Sequence, residues 1–507
     1  MPAKGAKRRR RCSRAAPSSF LEVHVATVTE RLERVIEREA PAWGVRPTSP
    51  EVRRLSGFDF AVLWGDLGIG LLVLVTGSLL VPALGLPQAL LAIAVGSAIG
   101  CLPLALVGRA GAREGLPGMV LLRPALGTRG SYAPTVLNIA QLVGWTSFEL
   151  WAMALVASRI TGPLFGVDSF YPWLGIAATV CLALSLGGPV LVVRRWMARF
   201  GAWILVAGAG WITIRLLSTV DLGALWSRTP VGGFPSFGAA IDLVVAMPIS
   251  WIPLAADYNR FARSGTSSAA GTYSGYLLAN VWFYSLGVLL ILGGGAAAPS
   301  VTGIADSIVT LAGGVLVLIV LLVGETDEAF ADIYSAAVSM QNLAPRVNQR
   351  VMVVAVSAVG VAVAAWLFRQ PGEGILTYEF FLLLIGSVFV PLFGVFLADY
   401  EVLRRGRGYD PRAVFDVRGP YRYLGGFNVR ALAAWALGFA VYHWISPTSL
   451  AAWSGAVETF FADWLHLPFP LFGGVVPASV VSFGAAFVSY LAISGAARVL
   501  RARPVTR

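Results

Sequence analysis

The chain has 507 residues, of which 57% are hydrophobic and 13% are charged, with a net charge of +12 at pH 7. A soluble globular protein carries about 25% charged residues, so this composition excludes a soluble enzyme, a single-span receptor and a fibrous protein. Each helical crossing of a bilayer needs about 20 apolar residues, which leaves room for about twelve crossings. The composition therefore predicts an all-α membrane protein with many spans.

The N-terminal tail is the most basic part of the chain. Its first fourteen residues hold seven positive charges, at Lys4, Lys7, Arg8, Arg9, Arg10, Arg11 and Arg14. We expect this tail to lie in the cytoplasm and to touch anionic lipid, whereas nucleic-acid binding and an over-extended start site are weaker alternatives. Apolar residues at helical spacing predict an amphipathic helix over residues 20–39.

Twelve apolar runs follow the tail and predict twelve transmembrane helices. They lie near residues 60–84, 87–108, 131–160, 172–193, 197–219, 237–259, 273–295, 307–337, 350–368, 377–399, 428–446 and 470–497. Arginine-rich loops alternate with loops that hold little beyond Arg228 and Arg369, and positive loops stay in the cytoplasm. This alternation predicts a multi-pass protein of the plasma (inner) membrane with both termini inside. The predicted parts are an N-terminal tail at 1–56, a core of ten spans at 57–425, spans eleven and twelve at 426–497, and a cytoplasmic tail at 498–507.

The first and sixth predicted spans contain helix breakers. The first holds three glycines and an aspartate, namely Gly65, Asp66, Gly68 and Gly70. The sixth holds Pro248 and Pro253, each of which lacks a backbone donor. Irregular backbone at membrane depth is stable only where it is buried in protein or lines a cavity. Matching interruptions five spans apart are typical of an inverted-repeat transporter, and a pair of kinked structural helices is the alternative.

The eighth span carries four carboxylates, which are costly inside a membrane and therefore indicate function. Glu325, Glu328 and Asp332 are spaced i, i+3, i+7 and share one helix face, whereas Asp327 lies on another side. We expect a helix that is acidic on two sides to lie between helix bundles. Close carboxylates cannot all stay ionised, so we expect them to hold protons or a cation. Internal salt bridges, for example to Arg159 or Arg215, are the alternative.

Two further features bear on chemistry. In the third span, Trp145 and Glu149 lie one turn apart, and an aromatic ring beside an acid suits a flat heterocycle that stacks and hydrogen-bonds at its edge. Asp399 and Glu401, at the cytoplasmic end of span ten, are expected to be solvated. The three cysteines and three histidines form no metal-ligand or nucleophile motif. We therefore predict no enzyme activity and no cofactor other than a coupling ion.

Motifs between residues 50 and 450 occur in the order found in one transporter family. They are Gly115-Leu116-Pro117, Arg123-Pro124, Gly127, Arg129-Gly130-Ser131, Gln141 to Trp145, Ala256 to Phe261, Ala398-Asp399-Tyr400 with Arg404-Arg405, and His443-Trp444. Together they resemble the nucleobase:cation symporter family of purine/cytosine permease-like transporters, with the cytosine permease group as the nearest branch. The N-terminal tail and the last span carry none of this resemblance.

The resemblance implies a leucine-transporter-type fold, a five-plus-five inverted repeat followed by two C-terminal helices. It also implies uptake of a nucleobase or related heterocycle, coupled to sodium or protons. In that family an aromatic residue in span three and a polar residue one turn later contact the substrate. The predicted substrate-binding residues here are Trp145 and Glu149 at those positions, Gln141 in the same span, Pro248 and Trp251 in span six, and Glu325 in span eight.

The family's sodium site uses backbone carbonyls of the first span and hydroxyl side chains of span eight. Gly70 and Gly324 match the backbone positions, whereas Asp327 and Glu328 stand where the family has hydroxyls. A carboxylate is negatively charged and can take up a proton, whereas a hydroxyl is a neutral ligand. This difference from the family therefore favours coupling to protons over coupling to sodium. The predicted coupling-ion residues are Gly70, Gly324, Asp327, Glu328, Asp332 and Asp66.

These features predict a proton- or sodium-coupled importer of a cytosine-like or aminopyrimidine substrate, working by alternating access. A carboxyl group pairs well with an aminopyrimidine edge, where a ring nitrogen and an amino group lie side by side. The expected partners are a small heterocycle and membrane lipids, without nucleic acid. A carrier for an organic cation or amine and a non-transporting ligand sensor are the alternatives.

Overall fold

The computed structural model describes residues 44–187, 201–293, 299–370, 374–404, 407–410, 412–446 and 451–502. The predicted amphipathic helix and the basic run of the N-terminal tail lie outside these residues. Within the described ranges every regular element is a helix, which confirms the all-α prediction.

The longer helices follow one another with short connections. The first eight are α1 Gly57–Asp66, α2 Leu71–Ser78, α3 Leu86–Glu114, α4 Tyr132–Phe165, α5 Phe170–Gly187, α6 Ala202–Thr219, α7 Phe237–Asn259 and α8 Gly265–Leu292. The others are α9 Val301–Thr310, α10 Gly314–Leu343, α11 Gln349–Leu367, α12 Ile375–Leu397, α13 Val429–Ile445, α14 Ala451–Glu458 and α15 Ala478–Ala502. In the described part of the chain, eight helices are long and apolar enough to cross a membrane, and nine when α1 and α2 count as one broken span.

The helices pack in three groups. In the first, α7 and α8 pack against α3, and α8 also packs against α1 and α2. In the second, α10 packs against α4, which also contacts α5 and α11. In the third, α13 and α12 pack against α15. Contacts of α2 with both α4 and α10 place the break between α1 and α2 where the first two groups meet.

The predicted interruption of the first span is confirmed. The chain bends by 60° between α1 and α2, and Gly70, immediately before α2, is extended with φ −134° and ψ 159°. The first N–H groups of a helix have no partner within that helix. The start of α2 therefore needs hydrogen-bond acceptors from elsewhere in the protein.

The predicted interruption of the sixth span is wrong. α7 is a continuous helix with Pro248 and Pro253 inside it, and its membrane-length segment is wholly buried. A proline removes one helical hydrogen bond, because the carbonyl four residues earlier loses its donor. The Gln141 side-chain nitrogen donates to the Ser250 carbonyl at 2.9 Å. Packing on all sides holds α7 helical despite its two prolines, and the Gln141 bond attaches it to α4; a count of prolines reveals neither.

Two predicted boundaries also differ from the structure. Span eight was expected to begin near residue 307, but α9 ends at Thr310 and α10 begins after Gly313. Gly313 has φ +78°, a left-handed conformation that separates the two helices and favours glycine. The last span was expected from residue 470, but α15 begins at Ala478, and α14 forms inside the predicted loop.

Candidate functional site

Six carboxyl groups lie around the broken first span. They are Asp66 at the end of α1, Glu149 in α4, and Glu325, Asp327, Glu328 and Asp332 in α10. None of the six residues is more than 4% exposed. α10 therefore places its acids inside the protein between the first two helix groups, as its two acidic sides predicted.

Gly70 brings the backbone of the break against two of these acids. A Cβ at Gly70 would lie closer than van der Waals contact to the Glu328 carboxyl and 3.0 Å from Glu325 Oε1. Only glycine leaves room for this approach without a shift of the carboxyl groups. The predicted neighbourhood of Gly70 and Glu328 is therefore present, and their role in ion binding stays a prediction.

Glu325 bonds the start of α2. Its Oε1 accepts a hydrogen bond from the Leu71 N–H, which is one of the unpartnered donors at the start of that helix. A carboxylate at a helix N-terminus is also favoured by the helix dipole. Glu325 was predicted as a substrate ligand, and the structure places it as a cap that joins α10 to α2.

Trp145 lies in an aromatic cluster built by α4 and α12. Its ring packs edge-on against Tyr378 and Phe381, with centroid separations of 6.0 Å and 5.3 Å. Phe148 packs against the same Tyr378 at 5.2 Å. The Trp145 indole N–H is buried and has no hydrogen-bond partner among the described residues. The Trp145 indole N–H is therefore a buried donor that a bound molecule could use.

Glu149, one turn after Trp145, meets Asp332 of α10. The two carboxyl groups lie close enough to interact directly, and both side chains are at most 1% exposed. No donor from the described residues reaches any of their four carboxyl oxygens. Two carboxyl groups can bond each other only if a proton lies between them, so a hydrogen bond within this pair needs at least one proton.

Asp66 and Asp327 form a second acidic contact. Asp327 interacts electrostatically with Asp66 and with Cys181 of α5. Glu328 interacts with acids on both sides of it. Within the described ranges, no three His, Cys, Asp or Glu side chains are arranged to hold a metal ion.

Gln141 and Trp251 join α4 and α7 near the site. Gln141 donates to the Ser250 carbonyl and to Asn138, each at 2.9 Å, while its own side-chain oxygen has no partner among the described residues. Trp251 is buried and packs edge-on against Trp64 of α1 at 6.3 Å. Both residues lie in helices that border the break, and their contact with substrate stays a prediction.

Two predicted site residues face other helices. The Pro248 ring fits against Gly100 of α3, where a Cβ would lie 2.5 Å from Pro248 Cγ. Gly324 faces Leu205 of α6, where a Cβ would lie 2.7 Å from the leucine methyl. These contacts give both residues a packing role, and no substrate or ion contact is needed to explain them.

Tyr378 is a site residue that the sequence did not reveal. Its hydroxyl lies 2.8 Å from Thr76 Oγ1 and 3.2 Å from the Leu72 carbonyl, so it connects α12 to α2 while its ring touches Trp145. Tyr378 stands in an apolar run with no distinguishing motif. Only the packing of α12 against the first two groups brings it here.

The expectation that Asp399 is solvated is wrong. Asp399 is 3% exposed and accepts hydrogen bonds from Arg404 Nε at 2.7 Å, from Tyr409 and from Tyr490 of α15. Burial lowers the pKa of Arg404, but the Asp399 carboxylate more than offsets this and raises that pKa above its ordinary value. Glu401 is partly exposed and pairs with Arg109 of α3 at 2.6 Å. This network connects α3, α12 and α15 at the predicted cytoplasmic side.

Comparisons with known proteins agree with this architecture. Residues 47–465 match the sequence profile of a family described as permease for cytosine/purines, uracil, thiamine, allantoin. A hydantoin permease of Microbacterium maritypicum is 26% identical over 456 residues, which cover 84% of this chain and 89% of that protein. The cytosine permease of Escherichia coli (strain K12) is 26% identical over 377 residues, covering 73% of this chain and 81% of that protein.

A solved structure supports the fold. Mhp1, a nucleobase-cation-symport-1 family transporter in a closed conformation with bromovinylhydantoin bound, superposes with a TM-score of 0.74. The two sequences are 21% identical, and the match covers 92% of this chain and 97% of Mhp1. Similarity at this level establishes a common arrangement of helices.

Proposed function

Because the chain belongs to the family of permeases for cytosine/purines, uracil, thiamine and allantoin, also called nucleobase:cation symporters, we propose that it imports an aminopyrimidine-like heterocycle together with protons. The chain is a multi-pass membrane transporter and not an enzyme. The observation that carries the proposal is the contact between Glu149 and Asp332, one helical turn from Trp145 and closed off from solvent.

Twelve crossings in a five-plus-five inverted repeat with two further helices are the arrangement that we propose. Three helices join the nine spans counted above. α10 has 30 residues and carries four carboxylates; α13 has 17 residues; and α5 ends at Gly187, where a described range ends. The alternation of arginine-rich loops supports cytoplasmic termini in the plasma (inner) membrane. Because α7 is continuous, it does not repeat the break between α1 and α2. The proposed repeat therefore relates the order of the helices and not the position of a break.

The substrate would stack on Trp145 and pair its edge with Glu149. A protonated carboxyl donates to the ring nitrogen of an aminopyrimidine and accepts from its amino group, so both bonds form at once. Transfer of the proton towards the ring nitrogen makes the pair charge-assisted, which strengthens it. The unused Trp145 N–H and Gln141 oxygen provide one further donor and one acceptor for the polar atoms of a heterocycle.

Asp332 would hold the coupling proton. When the substrate takes the Glu149 carboxyl, Asp332 loses its hydrogen-bond partner in a buried position, where an isolated charge is costly. Binding of a proton to Asp332 removes the cost of this isolated charge. The substrate and a proton would therefore bind together. Glu328 and Asp327 stand at the family's hydroxyl positions, and their carboxyls replace neutral sodium ligands with groups that take up protons.

A Glu149→Gln variant tests the substrate pairing. The amide retains one donor and one acceptor but cannot share a proton with the ring nitrogen. A charge-assisted hydrogen bond exceeds a neutral one by about 1–1.5 kcal/mol, so we expect about a tenfold loss of affinity for cytosine and for the hydroxymethyl-aminopyrimidine precursor of thiamine. Uracil and hydantoins present no such edge and should bind nearly as before. Ligand-induced thermal shifts of the purified protein measure the affinity for both groups of ligands. Unchanged affinity and selectivity in the variant would contradict the pairing of Glu149 with the substrate edge.

Uptake into proteoliposomes tests the coupling ion. We expect accumulation of labelled substrate with an inward proton gradient and no sodium. Accumulation that instead requires sodium would make the acids of α10 sodium ligands and overturn proton coupling. Binding without accumulation under any gradient would favour the ligand sensor.

A carrier of an organic amine is the second candidate, because six buried carboxyl groups attract a cation. Such a substrate would need no aromatic edge pairing. Thermal stabilisation by alkylamines, with none by any heterocycle, would favour that function.

A further inference from the structure

A basic cavity lies outside the site described above, at the start of α4. Its volume is about 400 Å³, and three arginines line it, Arg129 from the loop before α4 and Arg418 and Arg422 from the loop before α13. Among the described residues, no carboxylate and no other acceptor is bonded to any of the three guanidinium groups. The neighbouring carboxylate, Asp416, accepts a hydrogen bond from the Arg418 backbone N–H at 2.8 Å and does not line the cavity.

Backbone hydrogen bonds fix the two sides of this cavity to each other. The N–H groups of Arg129 and Gly130 both donate to the Gly426 carbonyl, at 2.9 and 3.0 Å, and the Thr128 N–H donates to the Tyr421 carbonyl at 3.2 Å. Gly426 has φ +103°, and a Cβ there would lie 2.7 Å from the Arg129 side chain. Glycine is therefore needed to bring the two loops together, and the three arginines converge on a preformed concave surface.

Apolar side chains surround the cavity mouth. Tyr132 and Val417, which line the cavity, are 41% and 70% exposed, and Leu424 and Val429 beside it are 75% and 56% exposed. Tyr132 and Val429 are the first residues of α4 and α13, so this belt lies where two helices leave the bilayer. Basic groups next to exposed apolar residues at the end of a span match the boundary between lipid headgroups and acyl chains.

We propose that this cavity binds the headgroup of an anionic phospholipid of the cytoplasmic leaflet. The arginines would hold the phosphate oxygens, for which their planar donors are well suited, while the acyl chains pack on Val417 and Leu424. A free phosphate or phosphorylated metabolite offers the same anion but nothing for the exposed apolar belt. The lipid is therefore the occupant that uses both features, and its binding requires no step of the transport cycle.

The test uses the purified full chain in neutral detergent. Phosphatidylglycerol, cardiolipin, phosphatidylcholine or inorganic phosphate is added, and bound lipid is counted by native mass spectrometry alongside thermal unfolding. We expect retention of phosphatidylglycerol and cardiolipin, and not of phosphatidylcholine. Each basic residue near an anionic surface changes lipid affinity by about fivefold, so Arg129→Gln, Arg418→Gln and Arg422→Gln should each weaken binding by about that factor.

Arg412→Gln is the matched control, because Arg412 is exposed in the same loop and does not line the cavity. If a glutamine variant fails to fold, Arg418→Lys takes its place in the test. Lysine keeps the positive charge, so this variant should retain most of the lipid affinity. Equal retention of phosphatidylcholine, an equal loss in the Arg412 variant, or full stabilisation by inorganic phosphate alone would each overturn the proposal.

Discussion

Truncation of Glu325 should destabilise the protein by removing the partner of a buried backbone donor. Glu325 is fully buried, and its carboxyl accepts from the Leu71 N–H at the start of α2. In Glu325→Ala this donor loses its acceptor, at a cost of about 1–3 kcal/mol. Glu325→Gln keeps an acceptor oxygen in place and should cost less than about 1 kcal/mol.

Thiol labelling measures this effect directly. Cys101 and Cys181 are buried and unpaired, so a thiol-reactive fluorescent dye reaches them only on unfolding; Cys12 is replaced by serine in every variant. A change of 1 kcal/mol shifts Tm by about 2–4 °C in chains of 150–250 residues and by less in longer ones. We therefore expect a Tm lower by about 2–5 °C for the alanine variant and a Tm near that of the parent for glutamine.

Thr326→Ala provides the control on the neighbouring, partly exposed position of α10 and should leave Tm unchanged. If the alanine and glutamine variants lose the same stability, the negative charge and not the hydrogen bond is what matters. If neither variant changes Tm, the capping argument is refuted and Glu325 returns to the predicted role of a substrate ligand.

Three other substitutions test the remaining contacts. Gly70→Ala forces a Cβ against the Glu328 carboxyl, and overpacking of about 1–3 kcal/mol should reduce uptake by about fivefold or more. Gly175→Ala, where a Cβ meets open space, should leave uptake unchanged. Asp332→Asn keeps the shape but not the proton, so uptake driven by a pH gradient should fall while substrate still stabilises the purified protein; unchanged uptake would place the proton elsewhere. Asp399→Asn removes the charge that three donors share and should lower Tm, whereas Glu401→Gln, in a partly exposed pair, should cost at most about 1 kcal/mol; equal Tm losses would contradict the difference in burial.

The sequence determined those properties that depend on residues close together in the chain. Hydropathy over about 20 residues identified the helices, and the i, i+3, i+7 spacing placed Glu325, Glu328 and Asp332 on one face of α10. The glycines of the first span were sufficient to predict its break. The ordered motifs identified the family, which the match over residues 47–465 confirms.

Only the tertiary structure decided which group each side chain meets. Glu325 bonds a backbone N–H that is 254 residues earlier in the chain, and Glu149 meets Asp332 because α4 packs on α10. The two prolines of α7 suggested a break, but complete burial among neighbouring helices keeps the helix continuous. Asp399 was expected in water, but it is buried and bonded by tyrosines from the loop that follows and from α15. Such partners depend on how helices pack across the whole chain, whereas spacing within one helix specifies a face but not what that face contacts.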